Sequence, residues 1–445
     1  MNFMAALATN KRAVLLGLIL LSLVARGALL RRNLWQLTVD RDDYLSLSQC
    51  LALSGTMEFG GQPTAYRPPL YPLVLACAYW LQGLFGAPWG WRVTAIAAVH
   101  LCLGAGTTVL TYRVAERWQL KQWSLVAAVL VALDPLLAYN ARLPMTETLA
   151  AFLLVASIER ISAERAGVRA AIVAGVVLGL GMLTRTTLWS FTGLAIVAAA
   201  LSREADRRRR WQWATAVAAT TLAVQVPWAV RNWIQLGTPV FTTTHGGYTL
   251  LLGNNDVFYD EVLRKSRGAW PQSSLEAWQA KLNDAAAAAG VTTEVEKDAF
   301  CYRQAAATIA TRPSDFSRSV AFRLMSLWGV APKSTAEYGL MIRLACAMFY
   351  VPELLIMVVG LCDRRVRQWP FNLLPAALVA FTLVHLAYWT DLRMRAPIMP
   401  AVAILAAIGA SRVFGRFLRP ATGGRHDADL ADHASSDQAG GPTAA

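Results

Sequence analysis

Two short stretches hold residue types that could do chemistry. Asp40-Arg41-Asp42-Asp43-Tyr44 clusters three carboxylates, and Tyr66-Arg67-Pro68-Pro69-Leu70-Tyr71-Pro72 sets an arginine among aromatic rings. A carboxylate within hydrogen-bond reach of a hydroxyl works as a general base. A guanidinium fork binds phosphate oxygens in a bidentate way. Glu58 and the Gly60-Gly61 turn lie between the two stretches, and Glu147 follows Leu143-Pro144-Met145-Thr146 at the start of a later helix. Asp40 and Glu147 each have two readings. Either one caps its helix, where an acid in the first turn suits the dipole, or the two converge, one as general base and the other orienting the acceptor. Asp42 and Asp43 read first as ordinary first-turn acids. Asp40, Asp42 and Glu147 are also the side chains a divalent metal ion would use. His245, in Thr242-Thr243-Thr244-His245-Gly246-Gly247-Tyr248, reads as structural or solvated before it reads as catalytic, and His100 and His385 read as packed within helices.

These groups sit in an otherwise apolar chain. Of 445 residues, 56% are hydrophobic and only 16% charged, against roughly 25% charged in soluble domains. Apolar runs near the length of a bilayer crossing recur and are continuous rather than alternating. That implies an all-α polytopic membrane protein and excludes a barrel. The net charge of +14 comes from arginines in the loops between runs. It is read as topological rather than as a nucleic-acid surface. Six scattered cysteines lack metal-site spacing, and nothing selects a disulfide among Cys50, Cys77 and Cys301.

Ten spans are expected, at 13–30, 93–112, 124–139, 145–158, 170–183, 188–201, 213–230, 340–361, 371–388 and 396–413. Lys11 and Arg12 place the start of the first in the cytoplasm, as a retained helix rather than a signal peptide. The run 69–85 decides the rest. If it lies flat on the outer surface, every basic loop falls inside. If it spans, Arg207-Arg208-Arg209-Arg210 faces out. The charge bias selects the flat helix, whose Tyr71, Tyr79 and Trp80 suit an interface. The expected organisation is a membrane module 1–230 with an outer loop 31–91, an outer helical domain 231–336, a second membrane module 337–414 and a disordered cytoplasmic tail 415–445. Helices are expected within the outer domain near 256–265, 275–288 and 293–310, with an amphipathic one at 315–327. Arg67, Arg142, Arg185, Arg231, Arg393 and Arg395 then gather at the outer face, against the bias. They need a reason such as a phosphate-bearing lipid.

The order of motifs resembles the bacterial membrane glycosyltransferases of the GT-C fold, the superfamily of the protein O-mannosyltransferases and the lipid A aminoarabinose transferase. The residues that carry it are Asp40 with Tyr44, the segment Arg67 to Pro72, Leu143 to Leu149, Leu183-Thr184-Arg185, Pro227 to Asn232 and Arg393 to Pro400. The resemblance implies a sugar donor on a polyprenyl phosphate, used at the outer face of a bacterial inner membrane. It implies Asp40 as the catalytic or metal-binding acid, Glu147 as its partner, and Arg67 and Arg185 as holders of the lipid phosphate. Arg231, Arg393, Arg395, Tyr44 and Tyr66 are grouped with them as donor-binding residues. Arg41 departs from the pattern, since many relatives carry an acid there.

The resulting expectation is an inverting transfer of sugar from the lipid-linked donor to a hydroxyl of a glycan, lipid or protein. No cofactor beyond a divalent metal ion is implied. The rivals are a flippase for a lipid-linked sugar, which calls for charges inside the bilayer and broken helices, and a non-catalytic assembly subunit.

Overall fold

The computed structural model describes residues 11–86, 88, 90–163, 167–202, 206–265, 270–333 and 338–415. The expected disordered tail lies outside these residues beyond Gly415. Nearly all the regular structure is helical, as the continuous apolar runs imply. Five helices are long and apolar enough to cross a membrane: Lys11–Arg32 (α1), Gly90–Arg117, Arg207–Leu236, Leu340–Leu361 and Leu392–Phe414. Shorter apolar helices accompany them at Leu70–Phe85, Trp123–Leu133, Gly167–Met182, Thr187–Leu201 and Leu373–Ala387. The protein is therefore an all-α, multi-pass membrane protein.

The first helix shows how the sequence selects its faces. Leu18, Ser22, Arg26 and Leu30 recur every four residues and are buried, while Leu16, Leu20 and Val24 face outward. A four-residue spacing aligns side chains along one side of a helix. The buried stripe packs on Gly90–Arg117, where a Cβ at Gly104 would collide with Arg26. At the centre of the bundle, every residue from Met399 to Ala410 is buried. This helix crosses Leu340–Leu361 at near backbone contact. A Cβ on Gly409 would stand 2.0 Å from the Ile356 carbonyl oxygen, and one on Gly360 2.0 Å from that of Leu405. Small residues at such crossings let helices meet closely in a membrane, where packing rather than water drives association.

Two expected spans differ. Residues 124–139 form two helices, Trp123–Leu133 and Pro135–Asn140, because Asp134 leaves the helical conformation and caps the second through Leu137 N, 2.7 Å away. Proline suits the first position of a helix. The short run at 145–158 becomes Glu147–Ile161 (α2), with all but two of its residues buried. It is wrapped by protein, which explains how so short a helix persists.

The loop 31–91 folds as Tyr44–Ser54 (α3), a two-residue hairpin at Gly60-Gly61 and Leu70–Phe85 (α4). Both turn glycines have positive φ, 60° and 76°, the geometry of a tight hairpin turn. The Trp80 indole donates to the Ala52 carbonyl at 2.9 Å and joins the two helices. The segment 231–336 contains the expected helices as Gln272–Ala288, Glu294–Thr311 (α5) and Pro313–Leu327, with a capping box at Thr293 and Glu296 starting α5. The stretch near 256–265 is a π-helical turn, Phe258–Leu263. Gly246–Leu252, unexpected from the sequence, is also helical. The helix at 313–327 buries Asp315, Ser319, Arg323 and Leu327, a largely polar stripe. It docks by hydrogen bonds, with Arg323 donating to the carbonyls of Gly253 and Leu386 at 2.8 and 2.7 Å. All six cysteines are unpaired.

Gly409→Val should destabilise the bundle by about 1–3 kcal/mol, the usual cost of forcing atoms into a packed core. Gly193→Ala, where a Cβ meets nothing within 4 Å, should leave the thermal midpoint in detergent unchanged. Equal losses would contradict the close crossing.

Candidate active site

A cavity of about 340 Å³ opens where the loop 31–91, the segment 231–336 and the bundle meet. Its charged lining comes from five distant places in the chain: Asp42, Arg67, Glu147, Arg185 and Arg393. Backbone hydrogen bonds bring these segments together. Leu70 N donates to Leu183 O at 3.0 Å and ties the Arg67 segment to the Arg185 loop. Thr244 N donates to Ala65 O at 3.1 Å, and Trp389 N to Thr249 O at 3.2 Å.

Glu147, the first residue of α2, is 1% exposed and lies 3.0 Å from Arg185 and 3.6 Å from Arg393. Arg185 also donates to the Thr146 hydroxyl at 3.2 Å. Arg393 reaches the other way to Asp42 at 3.7 Å and is steadied by Asp391 at 3.5 Å. Asp42 pairs with Arg67 at 3.2 Å, and Arg67 also donates to its backbone oxygen at 3.1 Å. The Arg67 guanidinium lies 4.5 Å from the Tyr66 ring centre and 5.5 Å from that of Tyr44. Cation–π contact holds it flat. Burial pushes the Tyr66 hydroxyl up to about 12 and raises that of Tyr44 as well, so both remain protonated donors. Arginines outnumber carboxylates in the lining by one, so the cavity is suited to an anion.

Asp40 does not stand with Glu147. Its carboxylate accepts from Leu45 N at 3.1 Å and Ser46 N at 2.8 Å, and so caps α3. Asp43 precedes that helix at φ 63°, a left-handed conformation that Asp tolerates, and makes no side-chain cap of its own. Asp40 lines a separate hollow of about 400 Å³ with Tyr79 and Arg92. The convergence expected of Asp40 and Glu147 is made by Asp42 and Glu147 instead.

The arginines expected at the outer face divide in the same way. Arg231 donates to Thr64 O and Met57 O at 2.8 and 2.7 Å and clamps the hairpin. Arg142 bonds Asn33 at 3.1 Å. Arg395 is fully buried, donates to Gly329 O at 2.9 Å and lies over Tyr350. None of these three lines the cavity, although the sequence grouped Arg231 and Arg395 with the donor-binding residues. Glu58 accepts from Thr56, away from the cavity. His100 is packed as expected, bonded to Tyr71 at 2.9 Å and Ala141 O at 2.7 Å. His385 and His245 both reach the lining. Burial, with Arg67 nearby, holds His245 well below the usual imidazole range, so it is neutral.

Sequence reasoning missed Tyr302, Tyr388 and Trp389, which also line the cavity. Glycines mark two of these contacts: a Cβ on Gly246 would collide with the Tyr302 hydroxyl oxygen, and one on Gly253 would crowd the Trp389 backbone. It also missed a polar cluster inside the bundle. Arg26 donates to Val131 O and Ala132 O at 2.9 and 3.1 Å, closing the helix that ends before Asp134. Asp134 accepts from Tyr350 at 2.9 Å, and the buried Glu353 lies one helical turn further on.

The donor set does not suit a divalent cation. Asp42 and Glu147 are already paired with arginines, Asp40 faces another hollow, and among the described residues no group of three or more His, Cys, Asp or Glu could hold a metal.

Glu147→Gln should destabilise the protein by about 3–5 kcal/mol, because it leaves buried guanidinium charge uncompensated. Thermal denaturation checks this, and a loss below 1 kcal/mol would contradict the pairing. His245 resists protonation when folded but titrates near 6.5 when unfolded. Its contribution to stability is therefore present above about 6.5 and lost as pH falls below it. His245→Asn should flatten that part of the stability profile.

No family model matches the sequence, and no curated protein does. Among solved structures, the archaeal oligosaccharyltransferase AglB from Archaeoglobus fulgidus, in complex with an inhibitory peptide and a dolichol-phosphate, is similar with a TM-score of 0.52. That match has 15% identity and covers 96% of this chain and 52% of that one. The apo form of the Archaeoglobus fulgidus oligosaccharyltransferase gives 0.53 at 16% identity over 95% and 52%. ArnT from Cupriavidus metallidurans, bound to undecaprenyl phosphate, is a looser match at 0.40 and 16% identity over 91% and 79%. This chain thus spans about half the length of the oligosaccharyltransferases it matches. The architecture is the GT-C fold of polytopic membrane glycosyltransferases.

Proposed function

We propose that the protein transfers a sugar, with inversion, from a polyprenyl-phosphate donor to a hydroxyl at the outer face of a bacterial inner membrane. The observation that carries this reading is the convergence of Arg67, Arg185 and Arg393 on Asp42 and Glu147 in one cavity. A phosphodiester donor carries one negative charge, and the lining has one arginine more than it has carboxylates. The resemblance in motif order and the GT-C fold support the same reading. The flat disposition of α4 would bring Arg67 to the headgroup level, where a lipid phosphate lies.

In this mechanism Arg67, Arg185 and Arg393 bind the donor phosphate. The phosphate displaces Asp42 as partner of Arg67 and Arg393, and the released carboxylate becomes more basic. Asp42 takes the proton of the acceptor hydroxyl. The acceptor oxygen bonds to the anomeric carbon while the bond from that carbon to the phosphate oxygen breaks. The electron pair leaves with the phosphate, whose second negative charge is stabilised by the arginines. Glu147, buried among them, holds Arg185 and Arg393 in place and takes no proton. The same chemistry serves a hydroxyl of a glycan, a lipid or a protein.

The flippase reading has one observation in its favour. Charges are buried inside the bundle at Arg26, Asp134, Glu353 and Arg395, and the helix is broken at Asp134. The two readings part on turnover: a flippase moves the lipid with its sugar still attached.

Purified protein in nanodiscs, given radiolabelled polyprenyl-phosphate sugars and membrane-extract acceptors, tests the proposal. Asp42→Asn should lower transfer by about 10²–10⁴-fold, the worth of a general base. Arg393→Gln should lower it by about 10²–10³-fold. Asp40→Ala should retain transfer and lose about 1 kcal/mol of stability, as a lost cap does. Transfer that survives Asp42→Asn and vanishes in Asp40→Ala would return the catalytic role to Asp40.

A further inference from the structure

Away from the five charged groups, the cavity wall has a different chemistry. Tyr66, His245, Thr249, Tyr302, Tyr388 and Trp389 line it, and none carries a charge at neutral pH. Four separate parts of the chain contribute them. Tyr66 precedes α4, His245 and Thr249 belong to the start of the helix Gly246–Leu252, Tyr302 comes from α5, and Tyr388 and Trp389 follow the helix Leu373–Ala387. The groups are joined to one another. The Tyr66 and His245 ring centres are 4.2 Å apart, and the Tyr302 and Tyr388 hydroxyls are 3.3 Å apart. Tyr302 crosses so near Gly246 that no side chain fits there. The result is an arc of rings that runs from the Arg67 stack to α5.

The arc also has unused hydrogen-bonding capacity. His245 Nδ1 is buried and has no hydrogen-bond partner among the described residues. The two tyrosine hydroxyls contact each other and keep further lone pairs. Buried polar atoms without partners call for an explanation, and a ligand that fills the cavity supplies one. A sugar ring has a face of C–H bonds, which suits an aromatic surface, and a rim of hydroxyls, which suits phenol and imidazole. An ionised amino, carboxylate or phosphate group on that ring would require an opposite charge. Glu147 stays paired with Arg185 and Arg393, and Asp42, once the phosphate releases it, is engaged with the proton of the acceptor hydroxyl, so neither carboxylate is left to pair with a charged sugar.

Resting on the lipid-phosphate reading above, we propose that this arc seats an uncharged sugar ring and selects it over amino, carboxylated or phosphorylated sugars. The ring belongs either to the donor or to an acceptor glycan, which present the same chemistry.

The test titrates the full chain in nanodiscs with three ligands: bare polyprenyl phosphate, the same lipid bearing a neutral hexose, and the same lipid bearing an amino hexose. The wild type should bind the neutral-hexose lipid at least about fivefold tighter than the bare lipid, the worth of roughly one net hydrogen bond. Tyr302→Leu and Tyr388→Leu should lose that gain and still bind bare lipid, which shows that they fold. If the donor sugar gives no gain, a neutral glycan added to lipid-saturated protein should bind, and should bind less tightly in the same variants. That outcome assigns the arc to the acceptor. Preference for the amino-hexose lipid, or variants that keep the full neutral-sugar advantage in both formats, would overturn the proposal. Failure of the wild type to bind bare lipid would instead refute the lipid-phosphate reading, and the glycan titration would then decide the arc by itself.

Discussion

The arrangement depends on one guanidinium. Arg393 lies 3.6 Å from Glu147 and 3.7 Å from Asp42, and so joins the two carboxylates of the cavity. An ionised group taken out of water is expensive unless it is paired. Five charges on five segments must therefore meet, or none can be buried. That requirement aligns the loop 31–91 with α2, the Arg185 loop and the turn before the last helix. The helix that begins at Met399 is buried on all sides. It gives Arg393 a rigid base that a loop on the surface would not.

The same turn carries a second arginine with a different task. Arg395 points into protein and bonds the carbonyls of Leu327 and Gly329, at the end of the helix Pro313–Leu327. Two residues apart, one arginine serves the cavity and the other fastens that helix to the bundle. Deeper in, Arg26 closes one helix and Asp134 opens the next. These charges satisfy backbone groups that a helix break would leave exposed in lipid, where each would cost several kcal/mol. They thereby allow the chain to break its helix at Asp134.

The helical, multi-pass architecture was legible because hydrophobicity and length alone decide it. Arg67, Glu147 and Arg185 could be chosen as candidates because an arginine or acid at the outer end of an apolar run is out of place unless something holds it. The choice between Asp40 and Asp42 was not legible. Both sit ahead of the same helix, and only the left-handed turn at Asp43 decides which one caps it and which one faces the cavity. Arg231 and Arg395 look the same in sequence as Arg393, yet each meets backbone carbonyls rather than acids. The aromatic arc was hidden for a different reason. Tyr302 and Tyr388 are 86 residues apart, and no local pattern records a contact between separate modules. The buried Asp134 was concealed inside a run whose average hydropathy reads as one continuous span.

The central claim is that Arg67, Arg185 and Arg393 form a lipid-phosphate site. A cryo-electron-microscopy structure of the protein with polyprenyl phosphate in nanodiscs tests it most directly. The account predicts phosphate density within hydrogen-bond reach of all three arginines, with Asp42 released from Arg67. Phosphate density in the other hollow, beside Arg92 and Asp40, with the three arginines still paired to Asp42 and Glu147, would contradict it.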